Sequence, residues 1–261
     1  MYQKQKIRLN MAANVLKKSE GDPDFVHRCN GTINRMIKKS GNKFLCCVDG
    51  SDASDLAFKV LKALLKPNDT LLLFHAYRKK RTGDLEFDPV DIRRKYTQHL
   101  TTSVRPPSRF EFEWVQRKNF ETVLHALQQH LNTYEYSWEA LRDRTPPDFV
   151  IMGQNGRKGI KTKNPTALGT NSDLALRTVH VPCIIAKKFV TTGPRKFVYF
   201  VNGSLSSKLG FEILNQMVCS RDTFTLVHVA NKSEHEETKE DDEHVREMRQ
   251  YYEEELDKYG P

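Results

Sequence analysis

Residues Lys43–Lys79, KFLCCVDGSDASDLAFKVLKALLKPNDTLLLFHAYRK, return as Lys196–Lys232, KFVYFVNGSLSSKLGFEILNQMVCSRDTFTLVHVANK. The two stretches align without a gap, and 14 of 37 positions are identical. Self-similarity of this kind marks a repeated supersecondary unit and constrains the fold more than any local propensity. Each copy opens with a continuous apolar run, Phe44–Val48 or Phe197–Val201, which reads as a strand buried on both faces. A Gly-Ser turn follows. Then comes a helical pattern (Leu56, Val60, Ala63 and Leu64; Leu209, Ile213 and Met217) and a second apolar strand (Leu71–Ala76; Thr225–Ala230). Strand, helix and buried strand form a βαβ unit, which requires a parallel sheet.

The first copy continues into a whole domain. The stretch DPVDIRRKYTQHL, with Pro89 near its start, predicts a helix. Phe110–Val115 predicts a strand, and Phe120–Arg142 a long helix with Val123, Leu124, Leu127 and Leu131 on one face. Pro146-Pro147 breaks that helix. Phe149–Met152 predicts another buried strand, Ser172–Val179 a helix and Cys183–Ala186 a last short strand. Five strands interleaved with four helices fill Lys43–Lys188, the usual size of one domain.

The second copy lacks three of those strands and ends in an acidic stretch with a helical pattern at Val245, Met248, Tyr252 and Leu256. A two-stranded sheet is marginal alone. It must lean on the first domain, pair with another chain or belong to something longer. The organisation expected is a basic arm over residues 1–42, a domain over 43–188, a linker over 189–195 and a partial repeat over 196–261.

Net charge is +9 over 261 residues, but residues 233–261 carry −8, so the remainder carries +17. A body this basic suits polyanions such as nucleotides. Charge runs are most often solvated faces, which disfavours nucleic acid as the partner. No apolar run reaches the roughly 18 residues that span a bilayer. The first nineteen residues, basic with Ile7, Met11 and Val15 at four-residue spacing, read as a basic amphipathic arm in preference to a mitochondrial presequence. Cys29, Cys46, Cys47, Cys183 and Cys219 show no metal-ligand spacing and read as free, buried thiols of a reducing, cytoplasmic setting.

CCVDGSDASDLAFKVLKAL (Cys46–Leu64), with DFVIMGQNGRKG and LGTNSDLALRTVHVPCIIAKK downstream, resembles the universal stress protein family. The resemblance covers Lys43–Lys188 and recurs in part over Lys196–Lys232. It implies an open, doubly wound parallel α/β sheet of five strands, flavodoxin-like or Rossmann-like and adenine nucleotide α-hydrolase-like. It implies ATP or another adenine nucleotide as ligand, with Mg²⁺ as an option, and a role in stress response. The family's G-x2-G-x9-G-[ST] motif fits Gly156, Gly159, Gly169 and Thr170 by spacing. Gly153 and Gly156 fit it by position after the strand, with Gly159 inside a loop three residues longer than the family's.

In an open parallel sheet, ligands sit beyond the C-terminal strand ends where the strand order reverses. The first and fourth strands flank that point. The candidate nucleotide site is therefore Val48, Asp49, Gly50 and Ser51 together with Gly153, Gly156, Gly159, Gly169, Thr170, Asn171 and Ser172. By resemblance, Ala76 and Met152 border the adenine. Glycines let backbone N–H groups approach phosphate. A helix start at Gly169–Ser172 offers unpaired N–H groups and partial positive charge. Asp49 is placed to accept from ribose or base, and Lys158, Lys161 and Lys163 to add charge. Each has a plainer alternative. Asp49, Ser51, Thr170 and Ser172 are good helix caps, the lysines are ordinary surface cations, and His75 and His228 are core histidines.

The repeat carries Asn202 in place of Asp49 and no glycine loop, so one nucleotide site per chain is expected. The leading function is an ATP-binding regulatory protein, at most a slow ATPase, acting as a homodimer or on a protein partner. The alternative is an interaction module with a degenerate pocket. An adenine nucleotide α-hydrolase-type enzyme ranks last, because VDGSDAS lacks the S-G-G-x-[DS] pyrophosphate loop.

Overall fold

A computed structural model describes residues 41–78, 88–101, 107, 109–117, 122–136, 146–155, 168–179, 181–188, 194–202, 204–215, 217–218, 222–228 and 239–259. The chain divides into two compact units, with the break between Val190 and Thr191.

The first unit runs β1 (Lys43–Cys47), α1 (Asp52–Leu64), β2 (Thr70–Tyr77), α2 (Pro89–Thr101), β3 (Arg109–Gln116), α3 (Val123–Tyr136), β4 (Phe149–Gly153), α4 (Thr170–Thr178) and β5 (Cys183–Ala186). Its five strands are parallel in the order β3-β2-β1-β4-β5. β1 is central because it is a short, continuously apolar run; Phe44, Leu45 and Cys46 are fully buried. Phe44 stacks on Phe149 of β4 at 5.0 Å between ring centroids. β3 lies at the edge and is only partly buried, as a strand with alternating charge must be.

Successive β1 side chains point to opposite faces, and each face has its own cover. On one, Phe58 of α1 meets Tyr96 of α2 edge-on at 4.9 Å. On the other, Leu45, Leu72 and Phe74 pack with Leu124, Leu127 and Leu131 of α3 and with Ala175 and Leu176 of α4. The helix starts are chemically marked. Ser51 caps α1 by accepting from the Ser54 N–H. Asp88 accepts from the Val90 N–H ahead of Pro89 at the first helical position of α2, where a missing N–H costs nothing. Thr122 accepts from the His125 N–H at the start of α3.

The opposite rim of the sheet is stapled by two buried carboxylates. Asp69 accepts from the backbone N–H of Asn42 at 2.8 Å and of Lys66 at 2.7 Å. Asp148 accepts from the Lys43 N–H at 2.7 Å. Burial holds the Asp69 carboxyl above its usual range despite those two donors.

The second unit runs β6 (Lys196–Val201), α5 (Leu205–Asn215), β7 (Thr223–His228) and α6 (Lys239–Tyr259), with β6 and β7 parallel. Val201, Phe211, Met248 and Tyr252 form its core. The expectation that Phe197–Val201 is buried on both faces fails. Phe197 and Val201 are buried, but Val198 is 46% and Phe200 62% exposed. They correspond to Leu45 and Cys47, which lie under α3 and α4 in the first unit. The described helices of the second unit cover only the other face.

Sequence expectations for the first unit otherwise hold, with ends shifted by a few residues. The predicted helix 120–142 is described over Val123–Tyr136, and residues 137–145 lie outside the described set. Val229 and Ala230, predicted as strand, also lie outside it, as do residues 1–40 of the basic arm. Cys46 and Cys183 are buried free thiols and Cys47 is half-buried. Cys29 and Cys219 fall outside the described residues. Among the described residues, no helix is long and apolar enough to cross a membrane.

Candidate functional site

The strand order reverses between β1 and β4. From β1 the chain moves outward to β2 and β3, then returns across the sheet to β4 and β5. The crevice beyond these two strand ends is where an open α/β sheet takes its ligand. The sequence candidates that fall within the described residues gather there. Asp49, Gly50 and Ser51 follow β1; Gly153 ends β4; Gly169, Thr170, Asn171 and Ser172 begin α4. Val48, Ala76 and Met152 are buried at the floor. Gly156, Gly159, Lys158, Lys161 and Lys163 lie outside the described residues.

The turn after β1 has a defined geometry. Gly50 takes φ 79°, a left-handed conformation that glycine adopts without strain. The Asp49 carboxylate accepts from the Ser51 N–H at 3.1 Å and from the Ser51 hydroxyl at 2.6 Å. Ser51 is thus the helix cap, and Asp49 holds the cap in place. His75 is a core residue, fully buried, with Nδ1 2.7 Å from the Val48 carbonyl.

Gly153 is explained by packing. A Cβ there would sit 2.4 Å from the Ala53 carbonyl oxygen at the start of α1, so only glycine lets β4 pass beneath that helix. Gly169 is the residue before α4, with no side-chain cap. Its N–H donates to the Gln154 carbonyl at 2.9 Å, which closes the base of the loop between them. Thr170 is the first helical residue and does not cap. Ser172 turns inward, and its hydroxyl donates to the Gly153 carbonyl at 2.8 Å. The opening N–H groups of α4 therefore lack intrahelical acceptors and carry the helix's partial positive charge. Beside them, the Asn155 Oδ1 is buried with no hydrogen-bond partner among the described residues.

Sequence reasoning missed the reach of α2 into this site. Lys95 Nζ lies 2.7 Å from the Asp55 carboxylate and 3.4 Å from the Gly50 carbonyl. The Tyr96 hydroxyl donates to Asp55 at 2.7 Å and meets the Ser54 hydroxyl at 2.9 Å. Burial, with the Asp55 carboxylate beside it, keeps the Tyr96 phenol protonated well above its usual range. Ser54 recurs in the repeat as Ser207, but the tyrosine partners, Tyr96 and Tyr252, lie beyond the aligned stretch. That offset hid the cluster.

The five-stranded parallel sheet matches the fold implied by Cys46–Leu64 and Asp148–Lys188. The fold is an open, five-stranded parallel α/β sheet in the order β3-β2-β1-β4-β5. No family model matches the sequence, and no curated protein matches it. Solved universal stress protein structures do resemble it. UspA from Lactobacillus plantarum is 18% identical, with 55% of this chain and 94% of that one covered at a TM-score of 0.36. A universal stress protein family member from Burkholderia pseudomallei is 15% identical, with 56% of this chain and 96% of that one covered at a TM-score of 0.34.

Proposed function

We propose that the crevice beyond β1 and β4 binds an adenine nucleotide, ATP by preference, and that the protein is a nucleotide-responsive regulator of the universal stress protein type. The observation that carries this reading is the pairing of an acidic turn with an uncapped helix start across the switch point. Asp49 stands on one side, an acceptor suited to ribose hydroxyls. The opening N–H groups of α4 stand on the other, suited to phosphate oxygens. The closed loop base at Gln154 and Gly169 supports it.

The second unit offers a control. The Asn202 side chain accepts from the Ser204 N–H at 3.2 Å and from its hydroxyl at 2.7 Å, the same turn that Asp49 makes with Ser51. The turn needs an acceptor and no charge. A carboxylate at this position is also a strong acceptor for the hydroxyl groups of a ligand. In this reading the protein binds and at most slowly hydrolyses ATP, Mg²⁺ accompanies the phosphates, and the signal passes to a partner or a second copy of the chain.

Calorimetric titration of ATP with Mg²⁺ into the protein and its Asp49→Asn variant tests the proposal. One-to-one binding, weakened in the variant, supports it; no heat in either removes it. A second reading, a protein-interaction module, is favoured by one observation: the apolar face of β6 at Val198 and Phe200 is open. It predicts association without dependence on ATP, measured by sedimentation.

A further inference from the structure

The mouths of the two units share a scaffold and, besides Asp49 and Asn202, differ at a pair of side chains packed beside the turn. In the first unit, the Ser54 hydroxyl donates to the Ser51 carbonyl at 2.9 Å and meets the Tyr96 hydroxyl at 2.9 Å. In the second, the Ser207 hydroxyl donates to the Ser204 carbonyl at 3.0 Å and meets the Tyr252 hydroxyl at 2.9 Å. Phe58 and Tyr96 pack edge-on at 4.9 Å, and so do Phe211 and Tyr252. These contacts recur in both units and hold a helix against the first turn, so they are framework.

The next position on each helix breaks the correspondence. In the second unit it is Lys208 facing Tyr251, with the ammonium 4.4 Å from the ring centroid. In the first it is Asp55 facing Lys95, an ion pair at 2.7 Å whose ammonium also reaches the Gly50 carbonyl. The peptide between Gly50 and Ser51 is consequently held from both sides. Its N–H points to Asp49 and its carbonyl to Lys95. Gly50, with its left-handed φ, is the residue in this turn best able to swing. A flip of this peptide would break the Ser51 N–H bond to the Asp49 carboxylate at 3.1 Å and draw the Gly50 carbonyl away from the Lys95 ammonium at 3.4 Å.

We propose that Lys95 is a positioning residue for the ligand turn. Asp55 holds its ammonium, the ammonium fixes the Gly50 carbonyl, and the fixed turn presents the Asp49 carboxylate to the ligand's hydroxyl groups. This rests on the nucleotide reading of the same crevice. The pair belongs to the unit that carries Asp49, while the unit that carries Asn202 has a packing contact there instead.

The test transplants the second unit's pair into the first, as the double variant Asp55→Lys with Lys95→Tyr. The transplant also takes the Asp55 acceptor from the Tyr96 hydroxyl, but Tyr252 keeps its serine contact beside Lys208 in the second unit, so thermal stability should change by only a few degrees. ATP affinity should fall about tenfold. Amide exchange at Ser51 in the ligand-free protein should quicken. Lys95→Arg, which keeps a cation and the Asp55 pair, should retain affinity within about threefold. ATP bound equally by parent and transplant, or an unchanged Ser51 exchange rate, overturns the role of Lys95 and leaves the nucleotide reading standing. A parent protein that binds no ATP overturns both.

Discussion

The two units make the same turn, the same histidine contact and the same serine–tyrosine clasp, yet among the described residues only the first sheet is covered on both faces. His75 and His228 each place Nδ1 against the carbonyl that precedes the turn, Val48 at 2.7 Å and Val201 at 3.1 Å. Asp69 and Asp222 each accept from the backbone N–H just ahead of the first strand. What differs is the cover. α3 and α4 seal the second face of the first sheet, and β4 and β5 extend it; the described part of the second unit has one covered face. The lesson is that a βαβα unit builds its own local geometry completely, but the burial of its sheet depends on elements that come later in the chain.

The comparison can be broken most forcefully at the rim. Arg195 clamps the buried Asp222 through its guanidinium and also donates to the Met217 carbonyl at 3.0 Å. Asn42 takes that place in the first unit. Asp222→Ala should destabilise the second unit by about 3–5 kcal/mol, because it strands a mostly buried cation. Two-probe chemical denaturation should show one transition moving and the other not; joint movement would mean the units do not melt separately.

Gly153→Ala should cost about 1–3 kcal/mol by forcing β4 away from the start of α1, read as a lower denaturation midpoint. The second unit has no β4 counterpart among its described residues, so this cost belongs to the first unit alone.

Next comes alkali. Burial pushes the Cys183 thiol up to about 12 from an ordinary 9.0. A raised folded pKa means that the stability it supports is whole below pH 9 and is lost as pH climbs toward 12. Unfolding at about pH 8 and about pH 10 should show lower stability at the higher value, and Cys183→Ala should flatten that slope. Near neutral pH the native Cys46 and Cys183 thiols should resist iodoacetamide.

Asp49→Asn should leave stability within about 0.5 kcal/mol, since Asn202 already makes the same turn, while weakening ATP binding. A large loss of stability would show that the charge serves the fold. The smallest effect is expected at Phe200→Ser, within about 0.5 kcal/mol, because that ring is largely exposed. A shift in sedimentation instead would place a partner on the open face.

The strands of the first unit were legible in sequence because a strand buried on both faces must be apolar throughout, and Phe44–Val48 and Phe149–Met152 are. The cap at Ser51 and the glycine at the end of β4 were legible because each is marked by residues close to it in the chain. The repeat made the second unit's turn predictable, position for position.

Three features were decided only by the tertiary structure. Val198 and Phe200 read as core, yet burial belongs to whatever covers a strand, and the sequence of β6 does not contain its cover. Gly153 read as a site glycine, and its packing against Ala53, about a hundred residues away in the chain, could not be read there. Nothing in the sequence singles out Lys95, and its place against Gly50 and Asp55 exists only because α2 packs on α1. Hydrophobic pattern and turn chemistry act along the chain and can be read there. Close approach, cover and charge pairing act across it, and appear only when the sheet has formed.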